Sequence, residues 1–174
     1  MKTVPTQKKQ SVIIGAGPLP VGEYWDRSVV SLAGEAVRLA VRDAGSPAID
    51  AIYIGNAFAS ILSNQANLGA LIAESAAFPH CEAMTFEAAG ASGGAAFRAA
   101  LLAVESGWVK TAVAVGVEKI TDVLTSEAED AKNLTLNYEY EGAQGLSSDA
   151  LAALLAARYL SDFEKERTIF SSIV

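Results

Sequence analysis

The sequence predicts an α/β fold built on a mostly parallel sheet. Short apolar runs bounded by glycine alternate with longer segments whose apolar residues recur at helical spacing. The connections between them are short, and strands and helices alternating in that way imply parallel pairing with right-handed crossovers. At 174 residues the chain has one domain's length and can bury a core of its own.

The elements follow in order. Ser11 to Gly15 is apolar and ended by glycines, so it reads as a strand. Ser31 to Asp43 sets Leu32, Ala36, Leu39, Ala40 and Asp43 at helical spacing, and Gly45 and Pro47 stop it. Ala51 to Ile54 reads as the second strand, and Asn67 to Ala77 as a helix carrying Leu68, Leu71, Ile72 and Ser75. Ala83 to Phe86 is the third strand, Ala91 to Ser106 the third helix and Thr111 to Val117 the fourth strand. A polar stretch from Ser126 to Asn137 follows, and Tyr138 to Gly142 has loop composition. Ser147 or Ser148 then caps a last helix, with Leu151, Leu154, Leu155 and Tyr159 on one face as far as Phe163. The expected organisation is a polar tail over 1–10, an α/β core over 11–122, a partial loop region with one helix over 123–163, and a tail over 164–174.

Composition excludes several function classes. A net charge of −7 and a pI near 4.7 argue against a nucleic-acid surface. Lys8 and Lys9, the only clustered basic residues, lie in the polar N-terminal tail. No apolar run reaches the ~18–20 residues of a membrane span, and the N-terminus lacks a signal-peptide core. One cysteine forms no internal disulfide, which points to the cytoplasm. His80 and Cys81 are the single histidine and cysteine, and one adjacent pair makes no metal-ligand set. Gly15-Ala16-Gly17 invites a dinucleotide reading, but Pro20 stands where the third glycine belongs and Pro18 and Pro20 interrupt any helix.

The chemistry-bearing stretch is Glu87-Ala88-Ala89-Gly90-Ala91-Ser92-Gly93-Gly94. A strand feeds it and an alanine-rich helix leaves it. Free N–H groups and the positive end of the helix sit there to lower a thiol pKa or hold an anion. The residue at the break is Gly90, which has no side chain. The helix that follows has almost no polar face before Glu105, the mark of a buried helix.

These residues resemble the nucleophile segment of thiolases, whose pattern reads roughly Ala-Ala-Cys-Ala-Ser-Gly-Gly. Gly90 stands at the cysteine's place, and Ala88, Ala89, Ala91, Ser92, Gly93 and Gly94 match its neighbours. Val12 to Gly17 with Val21-Gly22-Glu23 is similar to the family's first strand and loop, and Leu32 to Gly45 to its first helix. Ile49 to Asn56 and Val113 to Asp122 are similar to its second and fourth strands. The likeness runs from about Val12 to Leu160 and is closest to the lipid-transfer and archaeal thiolases.

The resemblance implies acyl-CoA chemistry, with a coenzyme A thioester as substrate and no further cofactor. It also implies that the family's second half, with the histidine and second cysteine of its acid–base work, has no counterpart in this sequence. The third helix would then lie between two sheets, one of them supplied by a partner. That partner is a second thiolase half or a full thiolase chain in a homo- or hetero-oligomer. Thiolase relatives also associate with a small zinc-ribbon and OB-fold protein. The last helix resembles part of a loop region with acyl-CoA contacts, and Glu164 to Val174 has no match.

Gly90 reads as a vacated nucleophile position, and otherwise as a helix-start glycine. Ser92 is a candidate acyl acceptor with no histidine to activate it, and otherwise its hydroxyl serves the first helical turn. Cys81 lies nine residues upstream with no base in view, and otherwise is a buried or loop thiol. His80 reads as structural or solvated. Glu118 and Asp122 flank Lys119 and read as salt-bridging residues at a strand end. Three functions stay open: one part of a split acyl-CoA acyltransferase or aldolase-type enzyme, a non-catalytic accessory subunit, or a degenerate thiolase.

Overall fold

A computed structural model describes residues 10–173, which fall into two compact units dividing between Val123 and Leu124. The first unit contains α1 (Val29–Asp43), β1 (Ala51–Gly55), α2 (Ala59–Leu62), α3 (Leu68–Ser75), β2 (Glu82–Phe86), α4 (Ser92–Ser106) and β3 (Ala112–Gly116). The three strands form one parallel sheet in the order β2-β1-β3. Tyr53 in the central strand faces Met84 on one side and Ala114 on the other.

β1 is buried along its whole length, because helices cover both faces of the sheet. Ile52 and Ile54 point into a core with Val37 and Val41 of α1 and Leu68 and Ile72 of α3. Ala51 and Tyr53 point the other way, onto Ala96 and Ala100 of α4. Alternation along β3 repeats the division: Val113 and Val115 join the first core, and Ala112 and Ala114 the second. The Tyr53 hydroxyl donates to Glu82 Oε1 at 2.8 Å. Burial, then the neighbouring carboxylate, pushes its pKa up to about 12.

Local chemistry sets the helix ends. The Ser28 hydroxyl accepts the Ser31 N–H at 3.1 Å and starts α1. At the other end Gly45 takes the left-handed conformation, φ 80°, that stops it. α4 ends at Gly107 in the same way, φ 79°. Only one side of α4 is covered. Ser92, Ala96 and Ala100 are buried, whereas Phe97 and Leu102 stay about half exposed, at 49% and 46%.

The strand expected over Ser11 to Gly15 is not formed, and α4 therefore follows the second strand rather than the third. The segment lies against α1 instead. A Cβ on Gly15 would come within 2.6 Å of the Ala40 carbonyl oxygen, so only glycine permits this approach. The next N–H, on Ala16, donates to Asp43 Oδ2 at 2.9 Å. A strand needs an adjacent edge to pair with, and no strand of the sheet lies beside this one.

The second unit contains α5 (Thr125–Asn133) and α6 (Ser148–Asp162), with 3₁₀ turns at Gly142–Gln144 and Arg167–Ile173. α5 forms in the polar stretch and adds a second helix to the region over 123–163, where one was expected. Its start is held by Glu127, whose carboxylate accepts the Leu124 N–H at 3.1 Å. The Ser147 hydroxyl caps α6 by accepting the Ala150 N–H at 3.1 Å. No residue of α6 is buried, and its apolar face of Leu154, Leu155 and Tyr159 is exposed. Among the described residues no helix is long and apolar enough to cross a membrane. Residues 1–9 of the expected polar tail lie outside the described part.

Candidate functional site

The carboxyl ends of the strands meet the N-terminus of α4, the place where open parallel sheets hold their ligands. Two glycines bring them together. A Cβ on Gly55, at the end of β1, would lie 2.5 Å from the Ser92 carbonyl oxygen and 2.6 Å from Gly93 Cα. One on Gly116, at the end of β3, would lie 3.8 Å from the same Gly93 Cα. Backbone thus packs on backbone, and α4 starts directly over the strand ends.

The turn from β2 into α4 is sharp. Ala89 takes φ 49°, a left-handed conformation for a residue with a side chain, and opens a 3₁₀ turn over Ala89–Ala91. Two side chains hold it. The Glu87 carboxylate accepts the Ala89 N–H at 2.6 Å. The buried Ser92 hydroxyl donates to the Ala89 carbonyl at 2.7 Å and accepts the Ala88 N–H at 2.9 Å.

Gly90 sits on this turn, next to the strained residue but not in the left-handed region itself. A Cβ built on it meets nothing within 4 Å. The backbone therefore does not require glycine at position 90. The place would take a short side chain at the mouth of the α4 N-terminus, where the helix's free N–H groups favour an anion.

Two of the other sequence candidates, Cys81 and His80, are not brought to Gly90. Cys81 precedes β2 and Gly90 follows it, so about 16 Å of strand separates them. The Cys81 Sγ donates to the Phe78 carbonyl at 3.1 Å, and burial pushes the thiol's pKa up, opposite to activation. His80 is exposed at that same far end. Lys119 is buried and pairs with Asp122, as expected of a salt-bridging pair. No group of three His, Cys, Asp or Glu residues suited to a metal occurs among the described residues.

Glu118 departs from the reading as a salt-bridging residue. Its carboxylate accepts from Asn56 Nδ2 at 2.9 Å and from the Ala57 N–H at 2.8 Å. Asn56 also donates to the Val117 carbonyl at 2.8 Å, and its Oδ1 accepts the Ala59 N–H at 2.9 Å. Buried Asn56, a residue that sequence reasoning missed, thereby ties β1 to the β3 loop and accepts the first N–H of α2. An asparagine directly after a strand and three residues before a helix was the available signal.

Residues 11–169 match the family described as thiolase, N-terminal domain. An acetyl-CoA acetyltransferase of Methanothermobacter thermautotrophicus is 35% identical over 157 residues, covering 89% of this chain and 40% of that one. An acetyl-CoA acetyltransferase of Methanocaldococcus jannaschii is 39% identical over 153 residues, covering 87% of this chain and 38% of that one. The chain thus spans less than half the length of these relatives. The match to residue 169 also reaches into the tail over 164–174, for which the sequence alone offered no counterpart.

Proposed function

The chain belongs to the thiolase family through its N-terminal domain, and from that premise we propose that it is one part of a split or heteromeric enzyme of acyl-CoA carbon–carbon bond chemistry. It supplies the sheet and the α4 N-terminus. A second polypeptide supplies the acid–base groups. The single observation that carries this reading is Gly90: a position with room for a side chain at a helix N-terminus, and no nucleophile on it.

Chemistry at such a site proceeds without an acyl-cysteine. A retro-aldol cleavage of a β-hydroxyacyl-CoA meets that condition. A base on the second polypeptide removes the β-hydroxyl proton, the Cα–Cβ bond breaks, and its electron pair passes into the thioester as an enolate. The thioester oxygen then carries the charge, and N–H donors at the start of α4 are suited to stabilise it. Protonation at Cα releases the shortened acyl-CoA, with an aldehyde or ketone as the other product. The single cysteine suits a cytoplasmic assembly, working in the acyl-CoA and lipid metabolism of the cell.

The test is the complex purified from source cells through a tag on this chain. It is expected to cleave a β-hydroxyacyl-CoA, and iodoacetamide is expected to label this chain only at Cys81 without inhibiting. Turnover of acetoacetyl-CoA by the isolated chain would overturn the reading. Co-purification of a full-length thiolase with an intact cysteine would make the chain an accessory subunit instead.

A further inference from the structure

A small open pocket of about 260 Å³ lies at the C-terminal end of α1. Chain order puts it at the pole opposite Gly90: Ser46 leads into the start of β1 and Phe78 into the start of β2, whereas Gly90 follows the end of β2. Arg38, Arg42 and Ser46 give the pocket its polar lining, and Val41, Pro47 and Phe78 its apolar wall. All of these belong to the first unit.

Two arginines four residues apart on a helix are neighbours, and like charges at that spacing repel. The chain carries a net charge of −7, so carboxylates are in excess. Arg27 and Arg158 each hold one, Glu35 and Asp162. Among the described residues neither Arg38 nor Arg42 does. Asp43, next to Arg42, accepts the Ala16 N–H at 2.9 Å instead. Glu74, beside Ser75 on α3, bridges to neither guanidinium. The negative end of α1 favours Arg42 in its last turn, which accounts for one cation and not for a second in the same pocket.

The donors are already positioned. Arg38 Nη1 donates to the Ser75 carbonyl, which fixes the guanidinium against α3 and leaves its Nε and Nη2 for a ligand. Ser46 follows Gly45 in the left-handed conformation, φ 59°, and its N–H donates to the Val41 carbonyl at 2.8 Å. That bond holds its hydroxyl at the rim. The apolar wall excludes water from one side, which strengthens any charge interaction made inside.

We propose that this pocket binds a phosphate group, with the Arg38 and Arg42 guanidiniums donating to its oxygens and the Ser46 hydroxyl completing the set. The planar, always charged fork of arginine matches phosphate geometry. The volume falls below the ~300–1,000 Å³ of pockets that enclose a whole small molecule, so the phosphate enters and anything esterified to it stays in solvent. Bound phosphate neutralises the repelling pair and stabilises the first unit by mass action. The proposal stands apart from the split-enzyme reading, because the pocket and Gly90 lie at opposite ends of the sheet.

The test titrates sodium phosphate into the isotope-labelled full chain at constant ionic strength, with chloride making up the balance, and follows it by NMR. Saturable shifts are expected at the Ser46 amide and at the Arg38 and Arg42 Nε–H signals, with a Kd on the order of 1 mM. Arg42→Gln, on the exposed surface of α1, is expected to fold and to weaken binding about tenfold or more. AMP and coenzyme A are titrated in parallel. Tighter binding than phosphate at the same three residues assigns the site to an esterified phosphate, and equal or weaker binding assigns it to the free ion. Equal shifts in chloride alone overturn the proposal. So do shifts confined to Gly90–Gly94, or an Arg42→Gln variant that binds with the parent's affinity.

Discussion

Glu118 Oε1 accepts a hydrogen bond from Asn56 Nδ2 at 2.9 Å, across 62 positions of sequence. That contact joins the loops leaving β3 and β1 beside the start of α4. It makes the two loops behave as one support for the candidate site.

Removing that carboxylate leaves the Ala57 N–H and one Asn56 proton without their acceptor. Glu118→Ala is expected to lower stability by about 1–2 kcal/mol, the range of charge-assisted hydrogen bonds in a partly exposed setting. Glu118→Gln keeps an acceptor and should lose less. Urea unfolding checks both; equal loss in the two variants would place the effect in packing rather than hydrogen bonding.

The close approach of α4 to the sheet predicts a contrast between two glycines. Gly55→Ala forces a methyl group onto the backbone of Ser92 and Gly93 and is expected to cost about 1–3 kcal/mol or more. Gly116→Ala meets ordinary contact distance and should stay within about 0.5 kcal/mol of the parent. Thermal melts of the pair give the comparison.

At Gly90 the expectation is opposite. Gly90→Cys should fold with unchanged stability, within about 0.5 kcal/mol, because nothing lies within 4 Å of the new Cβ. Its thiol should react with iodoacetamide faster than Cys81, since one sits at a helix N-terminus and burial raises the pKa of the other. The isolated variant is still expected not to turn over acetoacetyl-CoA. Slower alkylation at position 90 than at Cys81 would count against an activating site.

Acid should weaken the start of the sheet through Asp50. Its carboxylate accepts the Thr111 and Lys110 N–H groups at 3.0 and 2.8 Å, and these bonds hold its pKa below the usual value of 3.8. A depressed folded pKa means stability present above the unfolded value and lost as pH falls through the folded one. Asp50→Asn should therefore be less stable than the parent near neutrality, with the gap closing below about pH 4. A gap that stays constant down to about pH 2.5 would show that the carboxylate's charge is not the cause.

Much of this architecture is legible in the sequence because it is local. Ala51 to Ile54, Ala83 to Phe86 and Thr111 to Val117 are short apolar runs with glycine or loop boundaries, and a strand forms in each. Ser11 to Gly15 has the same composition and forms none, because pairing depends on a neighbour that sequence periodicity does not describe. α5 is not legible, since seven of its nine residues, in TSEAEDAKN, are polar or charged and give no apolar face to read. At the site, the turn into α4 and the missing side chain at Gly90 are visible in the residue string. The hold on Ala89 by Glu87 and Ser92 is local but rests on a backbone turn that residue types do not specify, and the link from Asn56 to Glu118 depends on how separate segments meet.

Native mass spectrometry of the protein drawn from its source cells tests the central claim most directly. The split-enzyme account predicts a complex of this 18.1 kDa chain with a second chain carrying the remaining thiolase part, including a histidine for acid–base work. Recovery of the chain alone, or only with copies of itself, would contradict it.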